Sequence, residues 1–527
     1  MGQMYCIVMA ENHRKSKKLA DLFGDYSPLS PIPDVRVTGI QVDSRLVQPG
    51  DIYVAVIEGV DRYRFLDEVV AAGSSVVVGT RSEISQQIPY VQVKEDRTAL
   101  AHMSAAFYDY PARSLTLIGV TGTDGKTTTC NYIYHILQAA GCQCGMVSTV
   151  KAIIGDQELD TGLHVTTPEA YDTQRYLRQM ADAGLEYAVL ESTSHGLAQQ
   201  RGARPEEFDI GVVTNITHEH LDYHGSYQEY FNAKARLVEG LAAKKEKKRP
   251  IPPLAVINRD DRSYPGLIDH ISIKHVSYGI HSEADITALD IKQTPHTLQF
   301  SAHSNSFDIP IETHLLGDYN ISNALAAISA TVVGLGISPA AVQAGIHSLA
   351  NVPGRMERID MGQDFLALVD FAHTPFALEA ALKAGRKLTS GKVIAVFGSA
   401  GLRDKQKRRM MARISIELAD ISILTAEDPR TESLEGILQE MADGARVKGG
   451  EEGKDYYKLP DRREAIRFAV ELAQPGDLVI TLGKGHEQSM CFGDVEYPWD
   501  DRTAMKAALS ERLGVAGPDM PYLPDQN

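Results

Sequence analysis

The stretch SLTLIGVTGTDGKTTT, residues 114–129, decides how the rest of the chain is read. Its apolar, β-branched start, LTLIGV, predicts a buried strand. A glycine-rich turn, GTDGKT at 122–127, follows, and CNYIYHILQAA then carries a helical pattern. Glycines let backbone amides face phosphate oxygens, and a helix N-terminus adds a favourable dipole. Lys126 would reach the β- and γ-phosphates, and the Thr127 hydroxyl would ligate magnesium. The longer motif G-x-x-x-x-G-K-[ST] needs glycine where Val120 stands, so a shorter loop is present. Gly122, Thr123, Asp124, Gly125, Lys126, Thr127 and Thr128 are therefore candidate contacts of a nucleoside triphosphate. No guanine-reading N-K-x-D follows, which favours ATP. No kinase-like H-R-D with a downstream D-F-G is present either.

On both sides of this loop, apolar strands alternate with helical segments. YAVLE, DIGVVTNIT and LAVINRD continue one set, and FLALVDFAH, KVIAVFGSAG, ISILTAEDPR and DLVITLGKGHE form a second from about residue 351. Shorter strand-like runs, DIYVAVIEG and SSVVVGT, precede residue 113. The alternation predicts an α/β fold with parallel, doubly wound sheets. At 527 residues several domains are expected, with boundaries at 1–113, 114–350 and 351–527. The basic, proline-rich AAKKEKKRPIPP at 242–253 is expected to be an exposed loop. A net charge of −16 disfavours nucleic acid as a partner, though not an anionic small substrate in a local basic pocket. Five cysteines offer no C-x-x-C pair and no disulfide framework, which suits a reducing cytoplasm. No signal peptide and no membrane span are expected.

Chemically capable residues follow nearly every strand. Glu191 ends YAVLE on a strand near the phosphate loop, where it could reach the same magnesium. TNITHEHLDYHG, residues 214–225, packs His218, Glu219, His220, Asp222 and His224 together. Taken alone, that cluster suits zinc. Beside a triphosphate and a carboxylate it suits magnesium better, and an imidazole ligand there would mark a second ion. Lys234, in YFNAKARL, reads in isolation as a solvated lysine.

TGTDGKTTT, HVTTPEA, ESTSHGLAQQR, TNITHEHLDYHGSYQEYFNAKARL, GDYNISNALAA, PGRMERI, VDFAHTP and GKGHE together resemble the Mur ligases. The resemblance runs from VDSR at 42–45 to WDDR at 499–502. It implies a UDP-binding N-terminal domain, a central P-loop ATPase domain and a Rossmann-like C-terminal domain. It also implies a reaction: ATP phosphorylates the D-glutamate side chain of UDP-N-acetylmuramoyl-L-alanyl-D-glutamate, and a diamino acid displaces the phosphate in a step of peptidoglycan precursor synthesis. Lys126, Glu191, His220 and Lys234 would be catalytic, with Thr127, Glu191, His220 and a carbamylated Lys234 serving the magnesium ions. His218 matches no ligand position, and Glu219 stands where aspartate is more usual. Asn323, Arg355, Asp370 and His373 match ATP-site positions. Thr166, Thr167, Thr193, Gln199 and Arg201 would hold the muramoyl dipeptide, with Thr193 in place of the commoner serine. Val42 and Ser44 fall at uridine-binding positions. A monomer in the cytoplasm is implied.

For the incoming amino acid, the resemblance points to Arg403, Asp428, Arg430, Gly483 and Glu487. Enzymes using meso-diaminopimelate typically carry D-N-P-R, whose arginine forks onto the distal carboxylate. Here the four residues 427–430 read EDPR. Arg430 favours diaminopimelate, while the added charge of Asp428 favours a lone ammonium, as in L-lysine or L-ornithine. The two arguments are evenly matched. Folylpolyglutamate synthetase and the ligase half of cyanophycin synthetase share the phosphate loop, and an inactive nucleotide-binding scaffold is a rival of another class.

Overall fold

A computed structural model describes residues 16–58, 60–160, 167–217, 221–243, 246–294 and 297–524. Thr166, His218, Glu219 and His220 lie outside them. The strand Thr116–Thr121 is buried at every position, as its apolar composition requires. It lies inside a parallel array in the order Cys144–Val147, Tyr187–Glu191, Thr116–Thr121, Ile210–Val213, Leu254–Asn258, His275–Gly279. After Thr116–Thr121 the next parallel strands are laid down on one side of it, and the later ones on the other. The phosphate loop therefore leaves the sheet at its topological switch point, where a crevice opens at the carboxyl ends of the strands.

Both faces are covered. The helices Lys126–Ala139, Asp318–Ile328 and Pro339–Ser348 pack on one, and Ala170–Asp182 and Tyr227–Gly240 on the other. The expected all-parallel pattern holds in the middle and fails at the edges. The hairpin Lys151–Ile154/Gln157–Asp160 extends one edge in antiparallel sense. Leu298–His303 and Asp308–Thr313 extend the other the same way. The physical reason is one-sided burial: Leu298–His303 alternates buried and partly exposed residues, as suits an antiparallel edge rather than a covered parallel strand.

A smaller parallel sheet of Gly39–Gln41, Asp51–Val54, Val76–Gly79 and Tyr90–Gln92 precedes the central one. A third sheet follows, ordered Glu357–Arg358, Leu366–Asp370, Leu478–Leu482, Val393–Phe397, Ile421–Leu424, Tyr456–Lys458, with only the first strand antiparallel. Each sheet has its own apolar clusters.

The basic loop at 242–253 is exposed at most of its described positions, as expected, with one exception. Lys247 is buried, its ammonium donating to the carbonyls of Ala112, Leu115 and Glu207 at 2.8–2.9 Å and lying 2.8 Å from Asp209 Oδ2. Composition predicts a solvated run, but here three carbonyls and a carboxylate converge to solvate one of its ammonium groups.

Candidate functional site

The phosphate loop is held from three sides. The Asp124 amide donates to Asn215 Oδ1 at 2.9 Å, and the Thr214 hydroxyl donates to the Asp124 carbonyl at 2.6 Å. On the helix Tyr227–Gly240, the Tyr230 hydroxyl lies 3.0 Å from that of Thr123. One turn on, Lys234 donates to the Gly122 carbonyl at 2.5 Å, with its ammonium 4.7 Å from the centre of the Tyr230 ring. Gly125 has φ +83°, and a Cβ there would lie 2.2 Å from Asn323 Oδ1. Only glycine both adopts that turn and lets Asn323 approach.

Lys126 begins the helix and donates to the Thr123 carbonyl at 2.7 Å. The Thr127 hydroxyl donates to Glu191 Oε2 at 3.0 Å, and the Thr149 amide donates to the same oxygen at 3.0 Å. Thr127 and Glu191 thus pair two oxygen donors at the mouth of the loop, a set that suits magnesium completed by phosphate oxygens and water. Among the described residues no group of three or more His, Cys, Asp or Glu side chains gathers to hold a metal. His220 lies outside the described residues.

Across the crevice, the third sheet contributes Arg355, Asp370 and His373. Arg355 lies over the Phe371 ring, 4.4 Å from its centre. Asp370 accepts from the Met356 amide at 2.7 Å and the Ala372 amide at 2.8 Å. Burial pushes its carboxyl up, with Arg355 and those amides opposing the rise. Gly122 to Thr128, Glu191, Thr193, Lys234, Asn323, Arg355, Asp370 and His373 all line one cleft of about 390 Å³.

Of the described residues expected to hold the dipeptide, Thr193 lines the cleft and Thr167 contacts Thr193. The hydroxyls of Thr167 and Thr193 are 2.8 Å apart, and Thr193 also accepts from the Gly196 amide to cap a short helix. Gln199 donates to the Tyr223 hydroxyl at 2.7 Å, and Arg201 Nε lies 3.5 Å from Glu169 Oε1. Val42 and Ser44 stand apart on the first sheet: Val42 packs on that core, and the Ser44 hydroxyl donates to Glu68 at 3.3 Å. Neither lines this cleft nor the larger cavity of about 650 Å³ around Ile57, Thr98, Gln200 and Arg236.

The five amino-acid candidates lie on the third sheet and do not line the cleft. Arg403 is exposed after the strand Val393–Phe397. Asp428, Arg430, Gly483 and Glu487 stand on two adjacent loops joined by the wholly buried Lys484. Its ammonium lies 3.0 Å from Asp428 and 2.7 Å from Glu487. Burial opposes charge on Asp428, yet Lys484 and the Cys491 amide hold its carboxyl below the usual range. Arg430 is half-buried and has no ion-pair partner among the described residues.

Sequence reasoning missed Thr214, Asn215, Tyr230 and Lys484. Three left a signal. Thr214 and Asn215 directly follow the buried strand Ile210–Val213 beside the loop, and Tyr230 stands one helical turn before Lys234. Lys484 looked like any lysine in a glycine-rich turn.

Residues 120–331 match the family described as Mur ligase middle domain, and residues 354–485 match Mur ligase, glutamate ligase domain. The chain is 40% identical over 499 residues to the UDP-N-acetylmuramyl-tripeptide synthetase of Roseiflexus sp. (strain RS-1), covering 93% of this chain and 97% of the relative. It is 38% identical over 482 residues to the UDP-N-acetylmuramoyl-L-alanyl-D-glutamate–2,6-diaminopimelate ligase of Geobacillus thermodenitrificans (strain NG80-2), covering 91% and 96%. A solved structure of a UDP-N-acetylmuramoyl-L-alanyl-D-glutamate–2,6-diaminopimelate ligase superposes with a TM-score of 0.64 at 29% identity, over 95% of this chain and 100% of that one.

Proposed function

Since the chain belongs to the Mur ligase family, we propose that it is the ATP-dependent, ADP-forming ligase that adds a diamino acid to UDP-N-acetylmuramoyl-L-alanyl-D-glutamate in peptidoglycan precursor synthesis. The observation that carries this reading is the cleft in which Lys126, the Thr127–Glu191 pair and Lys234 face Arg355, Asp370 and His373 from another sheet. We assign the UDP moiety to residues 1–113, with Val42 and Ser44 at the uridine. ATP falls to residues 114–350, and the amino acid to 351–527, which also lends Arg355 to the nucleotide. Among the described residues no helix is long and apolar enough to cross a membrane, and we propose a cytoplasmic monomer.

The chemistry asks two anions, a carboxylate and the γ-phosphate, to meet in line. The loop amides and Lys126 bind the phosphates, and Asn323 and Arg355 fix the rest of the nucleotide. Thr166, Thr167, Thr193, Gln199 and Arg201 orient the glutamyl carboxylate toward the γ-phosphate. Magnesium, held by Thr127 and Glu191, with His220 and a carbamylated Lys234 at a second ion, would neutralise charge on the transferring phosphoryl group. The resulting acyl phosphate is attacked by an amine, and collapse gives amide and inorganic phosphate. Catalysis here is mostly positioning and charge neutralisation.

The third residue we assign as meso-diaminopimelate. Asp428 argued for a lone ammonium, but Lys484 already neutralises it. Arg430 keeps its guanidinium for a carboxylate, which lysine and ornithine lack at their side-chain ends. The test is product mass after incubation with ATP, magnesium, bicarbonate, the UDP-dipeptide and each diamino acid separately. A UDP-tripeptide formed with ADP supports the ligase, and the amino acid that supports it names the substrate. No tripeptide with any of the three overturns the reading.

A further inference from the structure

Lys484 carries a buried charge that the ligase chemistry does not use. It follows the strand Leu478–Leu482, is 0% exposed, and lies 3.0 and 3.1 Å from the two Asp428 oxygens and 2.7 Å from Glu487 Oε2. The loop bearing Asp428 is pinned as well. Cys491 donates its amide to Asp428 Oδ1 at 3.0 Å and accepts at its carbonyl from the Arg430 amide at 3.1 Å. Asp428 and Arg430 both have left-handed backbones, with φ 41° and 54°. The turn therefore persists only because its neighbours over-determine it.

Asp428 and Glu487 bring two negative charges to these loops, and Lys484 and Arg430 bring two positive ones. The distal end of diaminopimelate is a zwitterion, an ammonium beside a carboxylate, with no net charge. The distal end of lysine is a bare ammonium. Whatever the rest of the site contributes, removing one cation from these loops shifts its preference from the first toward the second.

We infer that Lys484 is a specificity-determining positioning residue, whose ammonium cancels one carboxylate of the subsite so that it selects a zwitterionic side-chain end over a lone ammonium. Asp428 is then the clamp for Lys484 and not the reader of an ammonium. Glu427 lies close by, and burial pushes its carboxyl up. It is common to every variant below and leaves their comparison intact. The inference rests on reading these loops as the amino-acid subsite.

The experiment measures kcat/KM for meso-diaminopimelate and for L-lysine in the parent, Lys484→Met, Asp428→Asn and the double variant. The parent is expected to favour diaminopimelate. Lys484→Met should lower the diaminopimelate-to-lysine ratio roughly tenfold or more, because it makes the site one charge more negative. The double variant loses one charge of each sign and should recover the parental ratio. Asp428→Asn alone should raise the ratio, and it carries the test if Lys484→Met does not fold. A Lys484→Met enzyme weakened equally toward both amino acids, or a double variant that fails to recover, would show a merely structural lysine. A ratio that falls in Asp428→Asn would equally overturn the inference. A parent that makes the lysine tripeptide in preference sinks it while leaving the ligase standing, whereas a parent that makes no tripeptide sinks the ligase reading itself.

Discussion

Lys234 is 1% exposed, and its ammonium is fixed between the Gly122 carbonyl and the Tyr230 ring. A buried lysine without catalytic use could be exchanged for methionine at little cost to turnover. We expect the opposite: Lys234→Met should lower kcat by about 10²–10³, the usual loss when one preorganised charge at a reacting centre is removed. With 13C-bicarbonate, the parent should show a carbamate resonance that the variant lacks. An active parent with no such resonance would remove the carbamate from the mechanism. Glu432 offers a different check. Its hydrogen bonds to the fully buried Arg408, at 2.7 and 2.8 Å, hold its carboxyl well below the usual range. A depressed carboxylate contributes stability above its unfolded pKa and loses it as pH falls through the folded value. Glu432→Gln should therefore cost about 1.5–3 kcal/mol at pH 7. The gap to the parent in urea unfolding should shrink steadily below about pH 4, and a gap independent of pH would contradict the assignment.

Helices and strands aim these side chains. The helix Lys126–Ala139 carries Lys126 and Thr127 at its first turn, and the helix Pro339–Ser348 crosses behind it at Gly345. A Cβ at Gly345 would lie 2.4 Å from Ile136 Cα, so the two backbones touch there. Gly345→Val would wedge the helices apart and should cost about 1–3 kcal/mol, as overpacking does. The phosphate loop rides on the displaced helix, so KM for ATP should rise together with the loss in thermal stability. A variant that loses stability but keeps its ATP affinity would show that the loop is held by Thr214, Asn215, Tyr230 and Lys234 without help from the helix packing.

Lys247 anchors the turn Pro111–Ser114, through which the chain enters the central sheet and whose Ala112 already packs in the central core. It ties the carbonyls of Ala112 and Leu115, just before the phosphate-loop strand, to Glu207 and Asp209 on the central unit. Burial lowers the affinity of Lys247 for its proton, and Asp209 opposes that. Lys247→Met would leave Asp209 buried without its cation, a loss of about 3–5 kcal/mol. If anchoring this entry turn also fixes how the preceding first sheet approaches, KM for the UDP-dipeptide should rise several-fold while ATP binding, read by calorimetry, stays near the parental value. Proteolytic nicking near residues 112–115 should also become faster. Equal losses in both affinities would make Lys247 a general stabiliser.

Much of this was legible along the chain because it is local. A strand, a glycine-rich turn and a helix start are neighbours in sequence, so Thr116–Thr121, Gly125, Lys126 and Thr127 declare a phosphate loop through composition and spacing alone. Glu191 could be placed beside it because parallel strands end on one side of a sheet. The reversed edge strands were harder to see, since their direction depends on which face is covered. Lys247 and Lys484 were not legible at all. A lysine in a basic loop and a lysine in a glycine turn carry no local mark of burial. What makes each one count is the carbonyls and carboxylates that distant segments bring to its ammonium. The same holds for EDPR, where Asp428 and Arg430 pull in opposite directions and the Lys484 ammonium that meets Asp428 comes from a loop far away in sequence. Chemical type and loop geometry are written in adjacent residues. Net charge at a site is a sum over everything packed there, and only the folded arrangement performs that sum.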